Sequence, residues 1–330
     1  MLKVALPVAG TGSRLRPFTL TKPKCLLSIA GKTLLEHIFD SFAGLEVSGK
    51  ILVAGYLSDD IEAFVGQHGW SDTKVVLQEQ PQGLGEAISL CLPEVSDDEA
   101  LLIILGDTLF EADLSFLASS TTNVLMTRKV EDPRRFGVAV KDENGRVTKL
   151  VEKPQQFVSD EALVGIYYIK DVALLRKALT ELIEHDERTR GEFQLTDALQ
   201  KMVAAGADFR TSPLESWLDC GTPETLLATN GHVLAKHSEE FSGHEFAGTT
   251  IIPPCYIGKN VSIYDSTIGP NVTIDDGVRI ATSKLSDCLV NENAKIENSE
   301  LKNSIIGEKA CVSGLRGSFF LGDFSKATSI

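Results

Sequence analysis

The sequence predicts a two-part chain: an α/β domain built on a largely parallel sheet, followed by a parallel β-helix. Three observations carry this. The 330 residues accommodate about two domains at roughly 150 residues each. Short apolar strands alternate with amphipathic helices over about the first hundred residues. Beyond residue 248 branched apolar residues return every five or six positions, with Gly, Asn and Asp between them.

Taken in order, residues 2–8 (LKVALPV) read as a buried strand with Lys3 at its edge. Leu34, Leu35, Ile38, Phe42 and Leu45 fall at helical spacing across 33–45. A second strand covers 50–54. Ser58 stands where it would cap a helix running to about Gln67, with Asp59, Asp60 and Glu62 on its positive end. Lys74–Leu77 reads as a third strand and Glu86–Leu92 as a helix. Leu101–Leu105 is a fourth strand, whose unbroken apolar run requires burial on both faces. The middle is mixed: strands at 124–130, 137–141, 147–151 and 163–169, a hairpin turn at Asn144-Gly145, and helices over 171–185, 194–205 and 223–236. The C-terminal beats are Ile257, Ile263, Ile268, Ile274, Ile280, Leu285, Val290, Ile296, Leu301, Ile306 and Val312. No α-helix brings that period to one face, whereas coils of three short strands with turn residues at the corners do. A β-sandwich with turn-rich loops is the alternative.

Composition narrows the function classes. Lys plus Arg is 32 against 46 Asp plus Glu, a net charge of −14, which argues against a general nucleic-acid-binding face. An anionic ligand would need a local basic pocket. The six cysteines (25, 91, 220, 255, 288 and 311) form no CxxC pair, against a zinc or thioredoxin-like site and in keeping with a reducing cytoplasm. The opening stretch lacks the apolar core of a secretory signal, and no apolar run approaches the roughly 20 residues of a membrane helix. A cytoplasmic protein with no membrane partner is expected.

The densest chemistry lies in AGTGSRLRPFTLTKPK (9–24), directly after the first strand. Gly10 and Gly12 let the backbone turn and bring amides to an anion. Arg14, Arg16, Lys22 and Lys24 then cluster four positive charges in an acidic chain. Arg offers a bidentate fork to phosphate oxygens and Lys a point charge, which suits a triphosphate. A dinucleotide fingerprint fits poorly, because Leu15 stands where its third Gly would be and Pro17 interrupts the helix start. The GK[ST] of a Walker A loop is missing. A surface turn with scattered basic residues is the remaining alternative.

The string GTGSRLRPFTLTKPK resembles the signature G-x-G-[ST]-R-L-x-P-x-T-x-x-x-P-K of the sugar-phosphate nucleotidyltransferases. Further motifs resemble that family in order: GLGEA (83–87), GDT (106–108), RRFGV (134–138), EKP (152–154), GIYYI (165–169), GEFQLTDAL (191–199) and WLDCGTPETLL (217–227). The resemblance covers residues 1–236. It implies a Rossmann-like mixed-sheet nucleotidyltransferase domain over 1–240 and a left-handed parallel β-helix of hexapeptide repeats over 248–330. It also implies the reaction of a nucleoside triphosphate with a sugar 1-phosphate to give nucleotide-sugar and pyrophosphate, with Mg²⁺ as cofactor.

Residue roles follow from the resemblance. Arg14 and Lys24 are expected to hold the triphosphate and the leaving pyrophosphate, and Lys153 to bring up the sugar phosphate. Ala9, Gly10, Gly12, Ser13, Gln78 and Gly83 are expected around the nucleotide. Gly137, Glu152 and Gly165 join Lys153 around the sugar phosphate. Asp107 and Asp219 are expected to hold the metal, a hard cation suited to carboxylate and phosphate oxygens. Glu192 and Asp197 either serve the site or simply charge or cap the 194–205 helix. The attacking phosphate is already ionised, so no strong general base is needed.

Gln78, then Pro81, then GLGEA resembles the thymidylyl- and uridylyl-transferring branches more than the guanylyl branch. The expected pair is dTTP with glucose 1-phosphate. The alternatives are UTP with glucose or N-acetylglucosamine 1-phosphate, then mannose-1-phosphate guanylyl transfer, and outside catalysis a regulatory subunit that binds nucleotide-sugar. Cys25 stands where many relatives carry Pro. It is either a packing residue or a thiol activated by Lys22 and Lys24. None of the six histidines (37, 68, 185, 232, 237 and 244) lies in the repeat, so an acyltransferase tail would lack its usual base. The open ends of the coil suggest a homo-oligomer.

Overall fold

A computed structural model describes residues 1–214, 216–237 and 246–329; the expected domain limit at residue 240 lies outside them. The strands are β1 (Leu2–Pro7), β2 (Ser28–Ile29), β3 (Lys32–Thr33), β4 (Gly49–Ala54), β5 (Thr73–Leu77), β6 (Ala100–Ile104) and β7 (Thr108–Glu111). They continue with β8 (Asn123–Lys129), β9 (Gly137–Lys141), β10 (Val147–Glu152), β11 (Glu161–Ile169), β12 (Phe209–Pro213) and β13 (Ser216–Asp219). The helices are α1 (Leu34–Ser41), α2 (Ser58–Gln67), α3 (Leu84–Cys91), α4 (Val172–Glu184), α5 (Leu195–Ala204) and α6 (Pro223–Lys236). Thirteen further short strands follow from Thr250 onward among the described residues.

The chain divides into two compact units, one of residues 1–11 and 38–217, the other of 12–37 and 218–330. In the first, one nine-stranded sheet has the central order β10-β9-β11-β6-β1-β4-β5, with β8 and β12 pairing beyond β11. The strands β6, β1, β4 and β5 run parallel. β11 then meets β6 and β8 antiparallel, which makes the sheet mixed. β6 is buried along its whole length, as its apolar run requires. The core joins Ala5, Ile51, Leu101 and Ile103 of the sheet to Ile88 of α3, Leu175 and Leu179 of α4, and Leu199 and Met202 of α5.

One cap differs from expectation. Helix α2 begins at Ser58 itself, and the preceding Leu57 sits in the left-handed region at φ 56° with no side-chain cap. Asp59 and Asp60 still place negative charge at the positive end of the helix.

In the second unit all eleven apolar beats from Ile257 to Val312 are buried, none more than 6 % exposed. Their strands stack in parallel: Ile280 pairs with Ile296 and Ile296 with Val312, which sets a coil of about sixteen residues. Corner residues take left-handed backbone, among them Asn260 (φ 57°), Asn271 (φ 59°) and Asn293 (φ 57°). Asn tolerates that conformation because its short amide bonds locally, so the Asn-rich spacers and the apolar beats encode the same coil. The β2–β3 hairpin packs beside this coil. Asn230 of α6, fully buried, accepts from Ala30 N at 3.0 Å and from Thr273 Oγ1 at 2.6 Å.

Candidate active site

In the first unit β1 is the point where the sheet order reverses, with β4 and β5 on one side and β6 on the other. Ligands of such sheets bind beyond the carboxyl ends of the strands at this point. Ala9 and Gly10 leave β1 there; Gly106 and Asp107 leave β6. The approach is close: a Cβ on Gly106 would lie 3.0 Å from Pro7 O and press on the Val8 side chain. Gly55, after β4, is similarly tight, a Cβ there falling 3.0 Å from Ala9 Cβ and 3.2 Å from Gln78 O.

Gln78 follows β5 and is buried. Its amide Nε2 donates to Glu86 Oε2 and, at 3.5 Å, to Gly83 O. A carboxylate and a carbonyl only accept, so the NH₂ must face them and Oε1 points the other way. Gly83 has φ 121°, and a Cβ there would strike the Phe193 backbone. Gly85 N donates to Phe193 O at 2.7 Å and Phe193 N to Gln82 O at 2.8 Å. The GLGEA and GEFQLTDAL motifs, more than a hundred residues apart, thus share one backbone-bonded loop pair.

A second cluster gathers sugar-phosphate candidates. Gly137 and Glu152 face each other across the β9–β10 ladder. Glu152 Oε2 accepts from Thr196 Oγ1 at 2.7 Å, and Glu152 Oε1 lies 3.0 Å from Lys153 Nζ. Lys153 holds left-handed backbone at φ 43°, and its N–H donates to Phe136 O at 2.9 Å. Arg190, also left-handed at φ 56°, donates from Nη2 to Lys153 O at 2.9 Å. Phe136 stacks edge-on against Trp217, ring centroids 5.4 Å apart. Gly165 (φ 85°) sits against Leu105, whose N–H donates to Gly165 O at 2.9 Å. Burial raises the Tyr167 phenol above its ordinary pKa, and the negative charges of Glu152 and Asp107 push it further the same way. Asp197 does not cap α5, whose first position follows Gln194 without a side-chain cap. Burial raises its carboxyl pKa despite a hydrogen bond from Thr189. Glu192 accepts from Gln194 Nε2 at 3.0 Å.

In the second unit the segment 12–26 folds as three short 3₁₀ turns, 13–15, 18–20 and 24–26. Gly12 is left-handed at φ 59°; a Cβ there would meet Thr19 Cγ2 at 2.9 Å and Lys24 Cβ at 3.2 Å. Thr19 Oγ1 closes the loop onto Gly12 O at 2.8 Å. Gly12, Ser13, Arg14 and Lys24 are therefore held in one compact loop. Arg14 and Asp219 converge on Gly221: a Cβ there would lie 3.0 Å from Arg14 Nη2 and 2.8 Å from Asp219 Oδ1. The turn after Asp219 is secured by a reciprocal Thr222–Thr225 capping box opening α6.

Two further residues of the loop are placed. Lys22, one of the four clustered cations, has its ammonium 3.7 Å from Glu308 Oε2 of the β-helix. Cys25 is not an activated thiol. It is 2 % exposed, and burial pushes its pKa up to about 12 against the lowering charge of Lys24, so the packing reading holds.

Glu86, Thr196 and Arg190 were not singled out by sequence. Glu86 and Thr196 lie inside matched motifs, and Arg190 directly precedes one, which was the available signal. Among the described residues no group of three or more His, Cys, Asp or Glu side chains is gathered as a metal cage. The first unit therefore carries a buried, hydrogen-bonded Gln78 amide and a carboxylate–lysine–arginine cluster, and the second a glycine loop carrying Arg14 and Lys24. Lysine and arginine side chains of this kind suit anions such as phosphates.

Comparison with known proteins agrees with that chemistry. The nucleotidyl transferase family profile matches residues 6–236. A glucose-1-phosphate thymidylyltransferase of Streptomyces antibioticus is 29 % identical over 327 residues, 96 % of this chain and 90 % of that protein. The bifunctional protein GlmU of Methanococcus vannielii is 31 % identical over 277 residues, 82 % of this chain and 60 % of that one. A crystal structure from Bacillus anthracis, described as a candidate glucose-1-phosphate thymidylyltransferase in complex with a sucrose, superposes with a TM-score of 0.59 at 27 % identity. It covers 70 % of this chain and 95 % of that one. The chain belongs to the sugar-phosphate nucleotidyltransferase family. At that level its activity is transfer of a nucleotidyl group to a sugar 1-phosphate.

Proposed function

We propose that the protein transfers a thymidylyl group from dTTP to glucose 1-phosphate, releasing pyrophosphate. A sugar-phosphate oxygen attacks the α-phosphorus in line, the bond to the β-phosphate bridge oxygen breaks, and pyrophosphate leaves with that electron pair. The observation that carries the base assignment is the Gln78 amide, with both its hydrogens directed at Glu86 and Gly83. Its Oε1 is left as an acceptor suited to the imide N–H of thymine or uracil, and it would meet the N3 lone pair of cytosine repulsively. The near full-length likeness to the Streptomyces antibioticus thymidylyltransferase supports the sugar and the nucleotide.

In this reading Arg14 and Lys24, with the backbone of Gly10, Gly12 and Ser13, grip the triphosphate and neutralise the leaving pyrophosphate. Ala9 and Gly83 give the base close backbone approach. Lys153 binds the sugar phosphate, joined by Arg190, which neutralises the second anion. Glu152, oriented by Thr196, accepts from sugar hydroxyls beside Gly137, and Gly165, packed against Leu105, belongs to the same sugar-phosphate set. Asp107 and Asp219 supply carboxylate oxygens, a donor set that suits Mg²⁺, which keeps most of its shell as water and phosphate oxygens. Bound there, Mg²⁺ would supply charge neutralisation on the phosphates.

A UTP-dependent reaction on glucose or N-acetylglucosamine 1-phosphate is the second reading, since uracil presents the same imide edge. The missing methyl is worth only about 1–3 kcal/mol. Guanine also carries an N–H beside a carbonyl and ranks third. The deciding assay is pyrophosphate release with Mg²⁺, crossing dTTP, UTP, GTP, CTP and ATP with glucose, N-acetylglucosamine, mannose and galactose 1-phosphates. A maximum at dTTP with glucose 1-phosphate is expected; a maximum elsewhere overturns the specificity.

No helix among the described residues is long and apolar enough to cross a membrane. The lack of a disulfide among the six cysteines supports a reducing, cytoplasmic setting. The strands Phe320–Leu321 and Lys326–Thr328 pair on one side only among the described residues, which supports self-association through the coil end. Light scattering that returned the monomer mass of 35.7 kDa would count against it.

A further inference from the structure

The phosphate loop is anchored by residues far from any of the matched motifs. Thr21 Oγ1 donates to Asp323 Oδ2 at 2.5 Å. The other oxygen of Asp323 accepts from Glu308 N at 2.7 Å, so one carboxylate ties the last coil both to its neighbour and to the loop. Lys22 Nζ stands 3.7 Å from Glu308 Oε2, with both side chains less than one-third exposed. Pro17 lies so close to Gly322 that a Cβ there would come within 2.9 Å of the ring. Further along, Ser28 Oγ donates to Asp275 Oδ1 at 3.1 Å, and Tyr256 covers Gly31.

These anchors interleave with the phosphate-binding side chains: Pro17, Thr21 and Lys22 lie between Arg14 and Lys24. The loop has few backbone bonds of its own, chiefly Leu15 N to Gly12 O, Leu20 N to Pro17 O and Leu26 N to Pro23 O. Such a segment keeps one conformation only if its surroundings hold it.

We infer that the terminal coils of the β-helix hold the loop in its phosphate-binding conformation, with Asp323 and Glu308 as positioning residues for Arg14 and Lys24. The role assigned to the loop rests on the nucleotidyl-transfer reading; the anchoring does not. Lys22, a cation in an anion-binding sequence, acts in this scheme as the loop's tether and leaves phosphate contact to its neighbours. A displacement of about 1 Å in a positioned group lowers turnover by up to about a hundredfold, so the β-helix bears directly on catalysis.

The test is a charge swap in the full-length protein. Glu308→Lys sets the new ammonium against Lys22 and against Lys309, whose Nζ lies 2.7 Å from Glu308 Oε1. Loss of a partly exposed ion pair and its replacement by repulsion is expected to raise KM for the nucleoside triphosphate about five- to tenfold. KM for the sugar phosphate should stay within about twofold, since the change touches only the triphosphate loop. Amide hydrogen exchange over residues 12–26 should accelerate. The double variant Lys22→Glu/Glu308→Lys should restore both readouts. Thr21→Val, which removes the Asp323 bond at nearly constant volume, should move both in the same direction without charge change.

If Glu308→Lys leaves exchange and the nucleotide KM at wild-type values, the inference is wrong. It is equally wrong if the swap fails to restore them, because Lys22 would then be a phosphate ligand. If the wild type releases no pyrophosphate with any substrate pair, the proposed function fails. Exchange over 12–26 in the single and double variants still decides the anchoring in that case.

Discussion

Replacing Gly137 by Ala tests the sugar-phosphate cluster most directly. The added methyl would lie 2.9 Å from Thr196 Oγ1, 3.0 Å from Glu152 Oε2 and 3.0 Å from Leu163 Cδ1. Carbon atoms do not settle at such distances, so one of the three neighbours must move. Leu163 is 5 % exposed and packed in the core, and Gly137 is paired in register with Glu152, which leaves the backbone little freedom. The Thr196–Glu152 hydrogen bond at 2.7 Å is the contact that opens. Overpacking of this kind destabilises by about 1–3 kcal/mol, and a hydrogen bond to a charged group contributes about 1.5–3 kcal/mol. If the second quantity appears in binding, KM for the sugar 1-phosphate rises about ten- to a hundredfold, while KM for the nucleoside triphosphate stays within about twofold, because none of the three crowded neighbours is a triphosphate-loop residue. Steady-state kinetics with each substrate varied in turn, together with urea denaturation, reads both effects. A variant with a wild-type sugar-phosphate KM and wild-type stability would refute the reasoning, since the methyl would then have been accommodated without moving Glu152.

Three further outcomes are expected. Asn230→Ala strands the Thr273 hydroxyl and the Asn271 carbonyl, which Asn230 meets at 2.6 and 3.4 Å, inside a fully buried node. It should destabilise by about 2–3 kcal/mol in urea unfolding, and an unchanged midpoint would argue against the node. Iodoacetamide at pH 8 should leave Cys25 unmodified and activity intact in the native protein, because burial keeps this thiol protonated with a pKa near about 12; labelling read by mass spectrometry before unfolding would contradict this. Burial pushes the Asp275 carboxyl up to about 7, against the Ser28 hydrogen bond and the Lys22 charge, with Glu292 and Asp276 adding to the rise. The folded state then holds a proton that the unfolded chain releases above about pH 4, so this group removes stability as pH rises from about 4 to about 7. Asp275→Asn, whose amide oxygen still accepts from Ser28, should raise Tm more at pH 8 than at pH 5; an equal shift at both would sink the argument.

Much was legible in the chain before any coordinates. The eleven beats announced the coil because a five-to-six residue recurrence fits stacked short strands and no face of an α-helix, and all eleven side chains are buried. The apolar run at 101–105 announced a strand covered on both faces, and β6 is that strand. Of the two loop glycines expected to turn the backbone, Gly12 occupies positive φ and Gly10 does not. Ser58 misled because a polar residue before acidic ones resembles a cap, whereas the helix starts from a left-handed Leu57. Glu86, Thr196 and Arg190 escaped notice because each acts through a partner chosen by folding. Thr196 meets Glu152 44 positions away, and Arg190 meets Lys153 37 positions away.

Local pattern therefore determined the elements, the glycine turns and the stock of charged groups, since these depend on backbone preference and burial along a few residues. The nucleotidyl-transfer chemistry was also written there, as an ordered set of motifs. Tertiary structure alone decided how the charges were used. Arg14 and Lys22 look equivalent in sequence, yet Arg14 converges with Asp219 on Gly221 while Lys22 turns to Glu308, 286 residues further on. Cys25 next to Lys24 left a packing and a reactive reading open, and burial, which raises its pKa, decides for packing. The reason is common to both: the energy of a charge depends on what solvates or pairs it, and those neighbours are supplied by distant parts of the folded chain.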